Sequence, residues 1–125
     1  MKNTTKILII EDEEILVEMY QDKFSEAGFE VFSAPNNDEG LRLAKKEKPD
    51  LILLDILLPD ENGIQFLKRI KQFPEISRIP IIAISNYDEI ETKSEAYNLG
   101  VKLYLIKTQF TPQELLDVVK KYLEK

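Results

Sequence analysis

The sequence predicts an α/β fold, a doubly wound parallel sheet with helices on both faces. Four short runs are apolar at every position: Ile7-Leu8-Ile9-Ile10, Leu51-Ile52-Leu53-Leu54, Ile81-Ile82-Ala83-Ile84 and Leu103-Tyr104-Leu105-Ile106. They are too short for helices and do not alternate with polar residues, which is the pattern of strands buried on both sides. Between them lie segments with helical spacing, and β-α order throughout requires a parallel sheet covered on both faces.

Taken in order, each element has its own signal. After the first run, Leu16, Tyr20, Phe24 and Ala27 form one helical stripe, and Gly28 is the stop. Glu30-Val31-Phe32-Ser33 is a weaker fifth run and suits an edge strand. A short helix is expected over 36–48, with Asn36 as cap and Glu39 three residues on. Phe66, Ile70 and Phe73 give the next stripe. Asp88-Glu89-Ile90-Glu91 offers another acidic cap, and Gly100 closes that helix. Thr111-Pro112-Gln113-Glu114 is a capping box with proline at the first helical position. It opens a last helix whose stripe is Leu115, Val119 and Tyr122. The β-α unit thus occurs five times, without repeat, linker or low-complexity segment.

Length and composition narrow the function. At 125 residues the chain makes one domain, 1–125, with a core that needs no disulfide or metal staple. It has no cysteine and no histidine, which removes thiolate and imidazole metal sites, a Ser-His-Asp triad and a histidine proton shuttle. Carboxylates, hydroxyls, lysine and backbone must carry any chemistry. A net charge of −6 argues against direct nucleic-acid binding and against an anionic membrane surface. The polar lead Met1 to Lys6 lacks a signal peptide's apolar stretch, so a cytoplasmic location is expected.

Ligand sites of open α/β sheets lie beyond the carboxyl ends of the strands. Here Glu11-Asp12-Glu13-Glu14 follows the first run, Asp55 the second, Ser85 the third and Lys107 the fourth. Singly, each has an ordinary explanation: acids favoured at a helix N-terminus, a strand end, a loop hydroxyl, a solvated charge. Together they share one edge. A doubly wound sheet sets the first and third strand ends side by side, so Glu11, Asp12 and Asp55 crowd together and repel unless protonated or bridged by a cation. Mg²⁺, a hard ion bound through one or two carboxylates, waters and phosphate oxygens, answers that need. A carboxylate beside Mg²⁺, lysine and a hydroxyl has the parts of a phosphoryl-transfer centre. The four glycines are isolated, so no nucleotide-binding glycine loop is supported.

At these residues the chain resembles the receiver domains of two-component response regulators, of the stand-alone kind. The marks are Ile9-Ile10-Glu11-Asp12-Glu13, Leu53 to Pro59 around Asp55, Asn62-Gly63, Ile82-Ala83-Ile84-Ser85 and Tyr104-Leu105-Ile106-Lys107. The resemblance spans essentially the whole chain. It implies a flavodoxin-like sheet of order 2-1-3-4-5 with five helices, and a Mg²⁺-dependent phosphoacceptor switch in a histidine-to-aspartate phosphorelay. Asp55 would accept the phosphoryl group from a histidine kinase or histidine phosphotransfer protein. Asp12, Asp55 and the Leu57 carbonyl would hold Mg²⁺ directly, with Glu11 acting through a metal-bound water. Ser85 and Lys107 would contact the phosphoryl group, and Tyr104 takes the position of a switch aromatic. Output would be by binding a protein partner through the fourth helix, fifth strand and fifth helix. Such a domain is a regulator rather than a metabolic enzyme, assisting only its own phosphorylation and dephosphorylation.

The chain departs from the family pattern in several places. Glu11 stands for the commoner Asp, Ser85 for Thr, and Asn86 for a smaller residue. Lys107 is followed by Thr108 instead of a proline with a cis bond, which leaves the peptide either strained cis or relaxed trans. Leu57 and Tyr87 hold the positions that help or hinder the hydrolytic water, and an apolar Leu57 predicts slow self-dephosphorylation. Two rivals remain: a pseudo-receiver that binds partners without phosphoryl chemistry, and a small-ligand binder. Retention of Asp55 and Lys107 speaks against the first, and the repulsion of a phosphate-rich ligand by Glu11 to Glu14 against the second.

Overall fold

The computed structural model describes residues 4–57, 62–86 and 88–124. Leu58, Pro59 and Tyr87, named above, lie outside them. The elements run β1 (Lys6–Ile10), α1 (Glu14–Glu26), β2 (Glu30–Ala34), α2 (Asn37–Glu47), β3 (Leu51–Asp55), α3 (Gly63–Ile70), β4 (Ile81–Ser85), α4 (Ile90–Asn98), β5 (Leu103–Ile106) and α5 (Pro112–Leu123), with a 3₁₀ turn over Lys107–Gln109. All strand pairs are parallel and the order is β2-β1-β3-β4-β5, as expected.

The apolar runs are continuous because their alternate residues serve two cores. Leu8, Ile10, Ile52, Leu54, Ile81 and Ala83 face the α2–α3–α4 side with Leu41, Phe66, Leu67 and Ile70. Ile7, Ile9, Leu51, Leu53, Ile82 and Ile84 face α1 and α5, meeting Tyr20, Phe24, Leu115, Leu116 and Val119. The central strands β1, β3 and β4 are therefore sealed.

The helix starts follow their local chemistry. Asn36 Oδ1 accepts the Glu39 N–H at 2.9 Å, and Lys48, at φ 48°, ends α2. At α5 the Thr111 hydroxyl accepts the Glu114 N–H at 3.1 Å while Glu114 Oε1 accepts the Thr111 N–H at 2.9 Å, the reciprocal box in full. Gly28 and Gly100 follow α1 and α4 at φ 95° and 102°, a conformation that disfavours a side chain.

Four expectations need correction. β5 is only partly buried, because it pairs with β4 alone and is the second edge of the sheet. Ala27 is exposed at the end of α1, outside the buried stripe. Phe73 lies beyond α3, half-buried, with the Lys45 ammonium 3.6 Å from its ring centre. The acidic segment before α4 does not cap it through a side chain: the cap residue is Glu89, whose carboxylate takes the Thr92 hydroxyl, while Asp88 pairs with Lys93.

One glycine brings the fold to the site. The Gly63 N–H donates to the Ile56 carbonyl at 2.7 Å, and a Cβ on Gly63 would lie 2.9 Å from the Asp55 carbonyl oxygen. Only a glycine lets the start of α3 press against the end of β3.

Candidate functional site

Four strand ends converge at the carboxyl edge. Glu11 follows β1, and its N–H donates to the Ala34 carbonyl of β2 at 2.9 Å. That bond carries the β1–β2 ladder one residue further and turns the carboxylate inward, so Glu11 is buried. Its Oε2 accepts the N–H groups of Asp12 and Glu13, each at 3.1 Å. Its Oε1 is buried without a directed hydrogen bond and lies 2.6 Å from Lys107 Nζ. Asp55, the last residue of β3, is equally buried. Asp55 Oδ1 accepts the Leu57 N–H at 3.0 Å and Oδ2 accepts from Lys107 Nζ at 3.1 Å. Asp12 remains exposed, and one oxygen from each of Glu11, Asp12 and Asp55 lies within 4.8 Å of the others.

Lys107 is the counter-ion of this cluster. Its side chain is 9% exposed and also lies 3.7 Å from Glu13 Oε1. Burial alone would depress its pKa, but the pairing with Glu11 and Asp55 wins and holds the ammonium above its usual range. Burial pushes the Glu11 carboxyl up to about 7, with Lys107 pulling against it and the Asp55 charge adding to the rise. Burial also raises the Asp55 carboxyl, opposed by Lys107 and by the Leu57 N–H. Tyr20 lies under the cluster from α1 and is pushed by burial to about 12, so its phenol stays protonated.

Ser85, the last residue of β4, is completely buried. Its hydroxyl hydrogen-bonds the Tyr104 phenol, and burial outweighs that bond in raising the Tyr104 pKa. Tyr104 is 8% exposed and packs in the α2–α3–α4 core. Leu57 is about half exposed at 49%, beside the Asp55 carboxylate. No peptide bond among the described residues is cis, so Lys107–Thr108 is trans. Lys107 nonetheless reaches Asp55. The structure thus brings Glu11, Asp12, Asp55 and Lys107 together and turns Ser85 toward Tyr104. Glu13, which belongs to the acidic run after the first strand but is not among the expected site residues, joins the cluster as a third carboxylate near Lys107.

The donor set fits a hard divalent ion. It consists of carboxylate oxygens from Glu11, Asp12 and Asp55, two of these residues buried. A surface cavity of about 250 Å³ lined by Glu11, Asp12, Glu14 and Pro35, among others, opens onto the acidic pair.

The raised carboxyl at Glu11 has a pH consequence. Without metal, the folded chain binds a proton at Glu11 up to about pH 7, while the unfolded chain releases it near 4.5. Between those values the native state holds more protons, so stability is full below 4.5 and lost as pH rises through 7. The shift corresponds to about 3 kcal/mol. Urea midpoints in a chelator should fall from about pH 5 to about pH 7.5, and Glu11→Gln should flatten that slope. A parent midpoint that rises over this window contradicts the assignment.

Against this geometry, the family model described as response regulator receiver domain matches residues 7–120. The chain belongs to this family. The receiver domain is 36% identical over 118 residues to sporulation initiation phosphotransferase F of Bacillus subtilis, covering 94% of this chain and 93% of that protein. A solved two-component response regulator from Clostridium difficile is 30% identical, with TM-score 0.89 and 98% of each chain covered. The Mn(2+)-bound form of response regulator Rcp1 is 27% identical, with TM-score 0.74, covering 82% of this chain and 81% of that one. Among the described residues, no helix is long and apolar enough to cross a membrane.

Proposed function

We propose that this receiver domain is a Mg²⁺-dependent phosphoacceptor switch, phosphorylated on Asp55 by a histidine kinase or a histidine phosphotransfer protein. The observation that carries the reading is the Asp55 carboxylate at the end of β3, held by the Leu57 N–H and Lys107 Nζ beside Glu11 and Asp12. An Asp55 oxygen forms the new bond to phosphorus as the phosphorus–nitrogen bond of the donor's phosphohistidine breaks, and the imidazole leaves with the bond's electrons and takes up a proton. Lys107 stays charged and meets the incoming phosphoryl oxygens, a role that needs positioning and charge rather than proton transfer. Glu11, Asp12, Asp55 and the Leu57 carbonyl would hold Mg²⁺, which when bound neutralises the carboxylates and the phosphoryl oxygens. The acceptor is sealed in this state, so Lys107 must yield an Asp55 oxygen before transfer.

The Ser85–Tyr104 hydrogen bond supports the switch reading. A hydroxyl drawn to the new phosphate leaves Tyr104 without that partner. Tyr104 lines a groove of about 530 Å³ with Ile90, Lys93, Ser94, Tyr97 and Asn98 on the α4–β5 face. Ile90 is 78% exposed there, which suits a protein output partner. The domain works by this binding and assists only its own phosphorylation and dephosphorylation. The fold, composition and charge suit a cytoplasmic protein that touches neither nucleic acid nor membrane.

Intact mass after treatment with acetyl phosphate and Mg²⁺ tests the reading. One added phosphoryl group is expected; an unmodified chain would return the domain to the pseudo-receiver class. The lifetime of the phosphorylated form is a second expectation. Leu57 has no group to orient a water in line with the Asp55–phosphorus bond, so decay should be slow. Leu57→Asn should accelerate it by about 10-fold, equivalent to about 1.4 kcal/mol of barrier. Decay of the parent within seconds after donor removal, or an unchanged rate in the variant, counts against this role for Leu57.

A further inference from the structure

We propose that Asn86 is a positioning residue for Lys107, acting through a latch between the loops that follow β4 and β5. The inference rests on the phosphoacceptor reading of Asp55. Asn86 Oδ1 accepts the Thr108 N–H at 3.2 Å. Asn86 directly follows Ser85, and Thr108 directly follows Lys107, so the bond ties together the two loops that carry the expected phosphoryl contacts. The backbone ladder between β4 and β5 ends at Ser85↔Ile106. Beyond that pair a side-chain amide takes over the pairing that the backbone no longer makes.

The latch needs both partners. Thr108 has an N–H, and the trans Lys107–Thr108 bond leads into the 3₁₀ turn, where the Lys107 carbonyl accepts from Phe110 N–H at 3.2 Å. A proline at position 108 would have no donor, and an alanine at 86 would have no acceptor. These are two of the positions at which the sequence departs from the family pattern, and the structure joins them. Lys107 must reach from β5 past β4 to Asp55 on β3, roughly two strand spacings of about 4.8 Å each. Its stem has several rotatable bonds, so the placement of its backbone decides whether Nζ arrives between Asp55 and Glu11. Both latch residues are exposed, and the bond competes with water. Its loss should therefore alter reach more than fold stability.

The test combines two measurements on Asn86→Ala, Thr108→Pro and the double variant. In ¹H–¹⁵N spectra, Asn86→Ala should move the Thr108 amide resonance and speed its hydrogen exchange, with the melting temperature nearly unchanged. With saturating Mg²⁺ and acetyl phosphate, phosphoryl incorporation should slow by about 3- to 10-fold. In a Thr108→Pro background, where the donor is already gone, Asn86→Ala should add nothing. An unmoved Thr108 amide, an unchanged or faster incorporation rate, or additive losses would overturn the latch. If the parent itself takes up no phosphoryl group, the phosphoacceptor reading falls and the role of Asn86 with it. A parent labelled normally beside an unaffected Asn86→Ala overturns the latch alone.

Discussion

Asp55→Asn is expected to abolish phosphoryl incorporation while the chain stays folded. The carboxamide keeps the shape of the side chain but not its nucleophilicity, so the rate should fall by at least about 10³-fold, or about 4 kcal/mol of barrier. Folding should survive for an electrostatic reason. Asp55 and Glu11 are buried together, and the Asp55 charge helps raise the Glu11 carboxyl. Removing one of two like charges relieves that strain. One contact is lost, because Leu57 N–H and Lys107 Nζ use different Asp55 oxygens and the carboxamide replaces one of them with an NH₂ that only donates. Lys107 retains Glu11 at 2.6 Å. Mass spectrometry after acetyl phosphate treatment checks the first half and circular dichroism the second. A variant that takes up one phosphoryl group as readily as the parent would place the acceptor elsewhere.

Lys107→Ala is expected to weaken the metal-free domain at neutral pH by about 3–5 kcal/mol, the usual consequence of removing one partner from a buried ionic cluster. In the parent, one ammonium faces Glu11 at 2.6 Å and Asp55 at 3.1 Å. Without it the two buried carboxylates must take up protons or water. Mg²⁺ should restore much of the loss by linkage if, as proposed, it binds the native carboxylates and not the unfolded chain. Lowering the pH should restore part of it too, because Glu11 already titrates near 7 with the lysine present and higher without it. Urea unfolding with chelator, with Mg²⁺, and at about pH 5 separates these contributions. A midpoint that equals the parent's in chelator at neutral pH would mean that Lys107 does not neutralise the cluster.

The sheet and the residues at its carboxyl edge were legible because their positions in the chain follow local patterns. A strand covered on both faces must be apolar at every position, so β1, β3 and β4 could be read from four or five residues each. The carboxyl-edge rule then pointed to the residues just beyond them, and Glu11, Asp12, Asp55 and Lys107 do meet there. Helix caps at Asn36 and Thr111 were likewise legible, since a cap is satisfied within three residues of itself. β5 carried the same apolar signal as the central strands, yet it is an edge. An apolar run does not say whether its neighbour on the far side is a strand, a helix or water.

What the amino-acid order determined was which groups lie at the carboxyl edge. What each group faces was decided only by tertiary packing. Lys107 is 52 residues from Asp55 in the chain, and its bond to that carboxylate depends on three strands lying in register. Glu13 enters the cluster, the Ser85 hydroxyl pairs with Tyr104, and Asn86 finds the Thr108 N–H for the same reason. The strong shift at Glu11 also belongs to this level. A carboxylate's pKa reflects its burial and the charges a few ångströms away, and neither is a property of its neighbours in sequence.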